Sequence, residues 1–170
     1  MGRYRPPQPK STPYITRQGY DTLEKELKSL WVLRDEVTKA VAAAAAEGDR
    51  SENAEYIYRK KQLREIDRRL RYLQKRLPDL TVVERIPDNQ QQVFFGAWVT
   101  LEDDAGREYY YRIVGPDEFA VDPRYISLDS PMARALLKKQ LDDDITVKTP
   151  GGEVHYLITA VSYTAPTGQA

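Results

Sequence analysis

The sequence has no cysteine and only one histidine among its 170 residues. Without thiols the chain can form neither disulfides nor thiolate metal sites, and this composition suits a reducing cytoplasm. The single histidine, His155, cannot anchor a histidine-based site alone, so we interpret it as a sheet or surface residue. No apolar run is long enough to span a bilayer and no signal-peptide pattern opens the chain. We therefore expect a cytoplasmic protein without a membrane partner.

The sequence also lacks the motifs of several common enzyme classes. It contains no P-loop, no dinucleotide-binding fingerprint and no G-x-S-x-G nucleophile motif. These absences make the chain a poor candidate for a free-standing enzyme.

The formal net charge is zero, yet the two halves of the chain carry opposite charge. Residues 1–76 contain 18 Lys and Arg against 11 Asp and Glu, whereas residues 77–170 contain 8 against 15. This asymmetry indicates different partners for the two halves: an anionic polymer for the first and a basic or polar protein surface for the second.

Two long segments with helical spacing flank a glycine-containing turn at residues 47–55. Their apolar residues recur at intervals of three and four: Tyr20, Leu23, Leu27, Leu30, Leu33, Val37, Val41 and Ala44, then Tyr56, Leu63, Ile66, Leu70, Leu73 and Leu77. This spacing predicts an antiparallel helical hairpin, or coiled coil, over residues 14–80. Thr16 is the expected N-cap of the first helix, which runs to about Glu47, and the second helix ends near Arg76 ahead of Pro78. Roughly 30 residues per arm predict a length of about 45 Å.

The turn between the helices carries four carboxylates: Glu47, Asp49, Glu52 and Glu55. Asp49 and Glu52 have the spacing of a capping box, and Gly48 suits the left-handed residue that ends a helix. The same carboxylates, exposed at the tip of a long hairpin, have oxygens to offer to a metal held elsewhere. The two interpretations are compatible.

The second helix is strongly basic. Between residues 59 and 76 two acidic residues oppose nine basic ones: Arg59, Lys60, Lys61, Arg64, Arg68, Arg69, Arg71, Lys75 and Arg76. This excess predicts contact with nucleic-acid phosphates. Tyr56 and Tyr58 precede it, either as stacking partners for bases or as core and rim residues of the hairpin.

The period changes to that of strands from Val93 onward. Strands are predicted over residues 93–101, 108–115, 125–128, 144–149 and 153–163, with a short helix from Pro131 to Lys139 capped by Ser130. The expected fold class is therefore α+β, with the helical hairpin followed by a small antiparallel sheet domain over residues 93–164. Residues 1–13 are expected to be a disordered arm, residues 81–92 a linker and residues 165–170 a tail.

Two separated motifs resemble the Gre transcript cleavage factors of bacterial RNA polymerase. They are GDRSENAEY at residues 48–56 and ISLDSPMARALL at residues 126–137, followed by TPGGE at residues 149–153. The stretches KQLREIDRR at residues 61–69 and FFGAWV at residues 94–99 are more similar to the GreB branch than to the GreA branch. The resemblance covers roughly residues 14–163.

The resemblance implies a coiled coil joined to an FKBP-like domain that docks at the rim of the polymerase secondary channel. The coiled coil would pass down the channel, where Asp49 and Glu52 help to hold a Mg²⁺ ion shared with the polymerase active site. The chain would then be a monomeric accessory factor with no cofactor of its own, and not an enzyme. The resemblance also assigns the following residues: Ser51, Asn53, Glu55 and Tyr56 shape the tip, and Asp129, Ser130 and Pro131 dock on the polymerase. Charge and resemblance together point to Arg59, Lys60, Lys61 and Arg64 for contact with the nascent RNA 3′ segment.

Three other functions compete with this one. A regulator could enter the channel without stimulating cleavage, although the acidic pair at the tip argues against it. A prolyl isomerase would need an open aromatic-lined pocket, whereas the aromatics of the small domain are expected in its core. A free-standing coiled-coil RNA-binding module would leave the acidic tip and the acidic second half unexplained.

Overall fold

The computed structural model describes residues 10–49 and 52–164. The chain divides into two compact units. One is Gln18–Leu80, and the other combines the residues before Gln18 with those from Thr81 onward. The first is helical and the second is built on a five-stranded sheet with one short helix. The predicted α+β fold is confirmed.

The helical unit is formed by α1 (Arg17–Ala45) and α2 (Ala54–Arg76). At 1.5 Å per residue, the 29 residues of α1 extend about 44 Å and the 23 residues of α2 about 35 Å. The buried centre of their contact is shared by both helices: Val37, Ile66 and Leu70, with Leu27, Leu30, Val41 and Leu63 packed around it. The predicted hairpin core is thus confirmed in its main part.

Two ion pairs join the helices and fix their antiparallel register. The Arg34 guanidinium contacts Asp67 at 2.6 Å. Arg69 binds both carboxylate oxygens of Glu26, at 2.7 and 3.0 Å. Leu33 was predicted in the core but is 36% exposed, because Arg34 takes the position that faces α2.

The second unit contains β3 (Trp98–Asp103), β4 (Glu108–Val114), β5 (Tyr125–Ser127), β6 (Asp144–Thr149) and β7 (Gly152–Ser162). Their order across the sheet is β5-β4-β3-β7-β6. All pairs are antiparallel except β4 with β5, which is parallel. One face of the sheet and the helix α3 (Pro131–Leu136) enclose the core. Its buried residues are Val93, Ala97, Val99, Leu101, Ile113, Leu128, Ala133, Leu136, Ile145, Val147 and Ile158.

Two predicted elements of this unit are shorter than expected. The first strand begins at Trp98 instead of Val93, because Gly96 has a φ of 87° and breaks the extended run. Helix α3 ends at Leu136 instead of Lys139, because the chain turns at Lys138 (φ 68°) and pairs with Val93. The Lys138 N–H donates to the Val93 carbonyl at 2.8 Å, and the Val93 N–H donates to the Lys139 carbonyl at 2.8 Å.

The chain ahead of α1 belongs to the sheet unit. Strand β1 (Tyr14–Ile15) pairs in parallel with β2 (Thr81–Val82), which lies in the segment expected to be a linker. A Cβ on Gly115 would lie 2.0 Å from the Tyr14 carbonyl oxygen, so only glycine permits this close approach. The unit boundary at the amino end therefore falls after Arg17, whereas the sequence placed it before Tyr14.

Side chains also bind this segment to the sheet unit. The Thr12 N–H and hydroxyl donate to Asp129 at 3.0 and 2.5 Å, and Arg17 contacts Glu84 at 3.0 Å. Of the arm predicted over residues 1–13, positions 1–9 lie outside the described residues. The predicted tail at residues 165–170 lies outside them entirely.

Candidate functional site

The Asn53 side chain contacts both ends of the turn between α1 and α2. Its Oδ1 accepts from the Tyr56 N–H at 3.0 Å and so caps α2, whose first residue is Ala54. Its Nδ2 donates to the Ala44 carbonyl at 2.7 Å, which lies in the last turn of α1 and also accepts from the Glu47 N–H at 3.2 Å. Asn53 thus joins the end of one helix to the start of the other.

Asp49 is not the N-cap of α2, although its spacing from Glu52 predicted that role. Asn53 is the N-cap, so the first residue of α2 lies five positions after Asp49, and Asp49 and Glu52 lie in the turn itself. Both of these residues are exposed. Helix α1 ends at Ala45 instead of about Glu47, and Gly48 has the expected positive φ, 132°.

The predicted support residues of the tip have different roles. Glu55 lies in the first turn of α2, where it contacts Arg59 at 2.8 Å. Tyr56 is half-buried and its ring centroid lies 5.4 Å from the Lys60 Nζ. Ser51 lies outside the described residues. The structure therefore places a stable helix start directly behind the two acidic residues.

The two acidic residues of the tip have side chains of the kind that bind magnesium. Carboxylate oxygens are the ligands that Mg²⁺ prefers, and Mg²⁺ requires six ligands in near-octahedral geometry. In the part of the chain that the structure describes, no group of three or more His, Cys, Asp or Glu residues is arranged to hold a metal ion. The carboxylates of Asp49 and Glu52 are thus suitable ligands for Mg²⁺, but two carboxylates are too few to form a complete site.

A line of exposed cations runs along α2 on the side opposite α1. We call it the basic face; its members are Lys61, Arg64, Arg68, Arg71 and Lys75. At 100° per residue they lie within about 80° of one another, and the middle of the face is about 160° from the buried Ile66 and Leu70. Among the described residues, none of the five makes an ion pair. The three arginines of the basic face, together with Asp67, line a notch of about 350 Å³.

The basic face differs from the RNA-contact set that the sequence predicted. Arg59 is held by Glu55 at 2.8 Å and by the Gln62 side-chain oxygen at 3.0 Å. Lys60 lies against the Tyr56 ring. Only Lys61 and Arg64 of the predicted four belong to the basic face, which continues further along α2 than expected.

The predicted docking residues lie at the start of α3. The Ser130 Oγ accepts from the Ala133 N–H at 3.2 Å, and Pro131 occupies the first turn, as the sequence predicted. Asp129 is half-buried and its carboxylate accepts both hydrogen bonds from Thr12. The sequence contained no signal for this contact, because the two residues are 117 positions apart.

The aromatic residues of the sheet unit only partly follow expectation. Trp98 is 5% exposed and stacks on Tyr110 at 4.9 Å between ring centroids. Phe94 and Phe95, expected in the core, are half-buried and line a hollow of about 320 Å³ with Val83, Arg85, Pro87 and Asp88. His155 is exposed on β7, as predicted.

Within the described residues, none of the helices is long and apolar enough to cross a membrane. Two family models match the chain: "Transcription elongation factor, N-terminal" over residues 13–82 and "Transcription elongation factor, GreA/GreB, C-term" over residues 88–163. The chain is 55% identical over 164 residues to transcription elongation factor GreB of Pseudomonas aeruginosa, which covers 96% of this chain and 98% of the relative. It is 56% identical over 165 residues to GreB of Xanthomonas axonopodis pv. citri, with coverage of 96% and 98%.

Among solved structures, the chain is similar to GreA factor homolog 1 (Gfh1) of Thermus thermophilus, with a TM-score of 0.40 and 25% identity over 87% of this chain and 97% of that chain. The two family models between them cover both units of the fold. The full-length relatives extend the match to nearly the whole sequence. The chain therefore belongs to the GreA/GreB family of transcription elongation factors and is of the GreB type.

Proposed function

We propose that this chain enters the secondary channel of bacterial RNA polymerase and stimulates the polymerase's own cleavage of backtracked RNA. The observation that carries the proposal is the composition of the turn: two exposed carboxylates, Asp49 and Glu52, at the end of the helical hairpin. Because Asn53 caps α2, neither carboxylate is needed to start that helix. Helix α1, about 44 Å long by its residue count, gives the reach to place these groups in a narrow channel.

Asp49 and Glu52 would complete a Mg²⁺ site whose other ligands belong to the polymerase. When bound, Mg²⁺ supplies an activated water and stabilises charge in phosphodiester hydrolysis. The contribution of this chain is to bring two oxygen donors to the RNA on a rigid support. In this proposal the chain is an accessory factor, and the polymerase is the enzyme.

The basic face would hold the phosphates of the extruded RNA 3′ segment. Its five cations line one side of the hairpin and have no competing ion pair among the described residues. The sheet unit, through Asp129, Ser130 and Pro131, would dock at the rim of the channel. One hairpin in one channel requires a single copy, so the active species is a monomer.

The test is RNA cleavage in stalled, backtracked elongation complexes with and without the protein. We expect cleavage to be faster with the protein, and Asp49→Asn or Glu52→Gln to lower that stimulation about tenfold or more, because each removes a charged oxygen ligand. Glu47→Gln is the matched control, since Glu47 is exposed in the same turn and lies outside the acidic pair.

Binding to the polymerase, measured by competition, should be the same for all three variants. Full stimulation by both tip variants would refute the role of the acidic pair. Unaltered cleavage with the unsubstituted protein, at concentrations where it binds, would instead favour a regulator that occupies the channel without stimulating cleavage.

A further inference from the structure

An exposed tyrosine lies between the acidic turn and the basic face. Tyr58 is 60% exposed, the most open of the described tyrosines on the hairpin, and its neighbour Ile57 is 52% exposed. Tyr58 is the fifth residue of α2, so it lies about 6 Å along the helix axis from the start of the helix. More than half of the surface of each of these two neighbouring residues is open to solvent, which points to an external partner.

The Tyr58 ring is braced by its surroundings. The Arg59 guanidinium carbon lies 5.6 Å from the ring centroid, within the range of a cation–π contact. Arg59 is itself fixed by Glu55 at 2.8 Å and by Gln62 at 3.0 Å. The ring therefore rests against an ordered group and loses little freedom when a planar ligand stacks on it.

The charge beside the ring selects the kind of ligand. Lys61 lies three residues after Tyr58 and four after Ile57, so it is next to both on the helix surface. Arg64 and Arg68 continue the cationic line away from the tip. An aromatic ring followed by a row of cations is the arrangement by which proteins bind single-stranded nucleic acid, with bases stacked on the ring and phosphates on the cations.

We propose that Tyr58 is a stacking platform for one base of the RNA extruded by a backtracked polymerase. The inference rests on the proposed function, since it places the RNA strand beside the tip. Lys61 and the basic face then hold the phosphates on either side of the stacked base. Tyr58 is thus a positioning residue that keeps the RNA in register with Asp49 and Glu52.

The other two candidate tyrosines of α2 are less suited to this role. Tyr56 is half-buried, so it offers less of its ring to a base than Tyr58 does. Tyr72 resembles Tyr58 in chemistry: it is 43% exposed and the Arg69 guanidinium lies 5.3 Å from its ring centroid. It lies 14 residues further along α2, about 21 Å from Tyr58, which makes it the matched control.

The experiment uses backtracked elongation complexes whose RNA carries the fluorescent base 2-aminopurine, placed in turn at each extruded nucleotide. Full-length protein with Asp49→Asn and Glu52→Gln keeps the RNA intact during the measurement. We expect binding to quench emission at one nucleotide position, because stacking on an aromatic ring quenches this base. Adding Tyr58→Ala should abolish that quenching, whereas Tyr58→Phe and Tyr72→Ala should retain it.

A second readout separates RNA from protein contact. With the tip otherwise unsubstituted, Tyr58→Ala should weaken binding to a backtracked complex about tenfold, the size of one base–aromatic stack, and leave binding to a complex without extruded RNA unchanged. Equal weakening for both complexes would overturn the proposal and assign Tyr58 to a polymerase contact. Quenching that persists in Tyr58→Ala would also overturn it. Neither result bears on cleavage stimulation by the unsubstituted protein, which tests the proposed function separately.

Discussion

Asn53 makes two hydrogen bonds that together close the hairpin turn. Its carbonyl oxygen caps one helix and its amide group satisfies a carbonyl at the end of the other. No other side chain of similar size offers a donor and an acceptor in this geometry. The closure of the turn therefore depends in part on an amide.

Substitution of Asn53 should separate these two contributions. Asn53→Ala is expected to lower the free energy of unfolding of the helical unit by about 1–2 kcal/mol, since it removes the cap and the bond to Ala44. Asn53→Ser keeps a capping oxygen and loses the bond to Ala44 without adding a charge, so it should cost less. Urea unfolding followed by circular dichroism would measure both. Equal losses for Asn53→Ser and Asn53→Ala would show that the cap contributes little.

Glu118 is a second residue whose role depends on distant partners. It is 4% exposed and accepts from the Thr16 N–H, the Thr16 hydroxyl and the Gly115 N–H at 3.0–3.2 Å. Burial raises the pKa of this carboxyl above its ordinary value of 4.5, although the three donors oppose the shift. The chain entering α1 is thus held to the sheet unit by a buried carboxyl group.

The raised pKa of Glu118 makes the stability of the folded protein depend on pH, and the sign of that dependence is known. A carboxyl group with a raised pKa stabilises the folded state fully below its unfolded-state pKa, and that contribution is lost as the pH rises through the folded-state pKa. The stability of the protein relative to Glu118→Gln should therefore fall as the pH increases from about 4.5. Thermal unfolding of both proteins across pH 4–8 would measure it. A relative stability that grows with pH would contradict this assignment.

The sequence anticipated the residue-level features whose partners are close in the chain. The Ser130 cap with Pro131 was predicted because both bonding partners lie within one helical turn. The cap of α2 was misassigned because two acceptors, Asp49 and Asn53, precede the helix and only the closure of the turn decides between them. The contact of Glu118 with Thr16 spans 102 residues and left no local pattern.

At the scale of elements, boundaries were predicted accurately where a local signal marks them. The end of α2 at Arg76 was correct because Pro78 cannot continue a helix. The start of the first sheet strand was predicted five residues too early, at Val93. Apolar residues before Trp98 pack in the core but do not belong to the strand. Val93 and Ala97 are core residues of a turn that Gly96 permits.

The basic face on α2 gives a prediction about salt dependence. Replacing Arg64, Arg68 and Arg71 by Gln removes three phosphate contacts. It should therefore lower the affinity of the protein for backtracked complexes, most strongly for those with long extruded RNA. For a single strand, the slope of log affinity against log salt should become shallower by about 2. Affinity for backtracked complexes at several salt concentrations would measure it.

A matched control removes the same charge from the other helix. Lys25, Lys28 and Lys39 are exposed on α1, and their replacement by Gln changes the net charge equally. We expect this triple variant to keep the salt slope of the unsubstituted protein. Equal slopes for the two triple variants would show that net charge, and not the basic face, governs the interaction.

At the scale of the whole molecule, the opposite charges of the two halves are largely evened out between the two units. Residues 18–80 contain 14 Lys and Arg against 12 Asp and Glu, whereas the rest of the chain contains 12 against 14. The charge division that the sequence predicted is therefore much weaker in the fold, because the basic residues before Gln18 belong to the sheet unit. The sequence could not predict that these residues join the sheet unit, since that depends on the pairing of β1 with β2 across 65 intervening residues.

The last prediction concerns docking of the sheet unit on the polymerase. Asp129 carries a charge suited to a rim contact, yet its carboxylate is bound by Thr12. Loss of binding in Asp129→Ala would therefore have two explanations: a lost polymerase contact, or release of the chain ahead of β1. Asp129→Asn keeps an oxygen for Thr12 and removes the charge, while Thr12→Ala removes one donor and keeps the charge.

If the charge docks on the polymerase, Asp129→Ala and Asp129→Asn should both weaken binding about tenfold or more, and Thr12→Ala should bind normally. Cleavage should recover for all variants at saturating protein, because the tip is unchanged. Competition binding and cleavage titrations would measure this. If Thr12→Ala weakened binding as much as Asp129→Ala, and Asp129→Asn bound normally, the carboxylate would act by holding the amino-terminal segment. The docking surface would then have to be sought around that segment and β2.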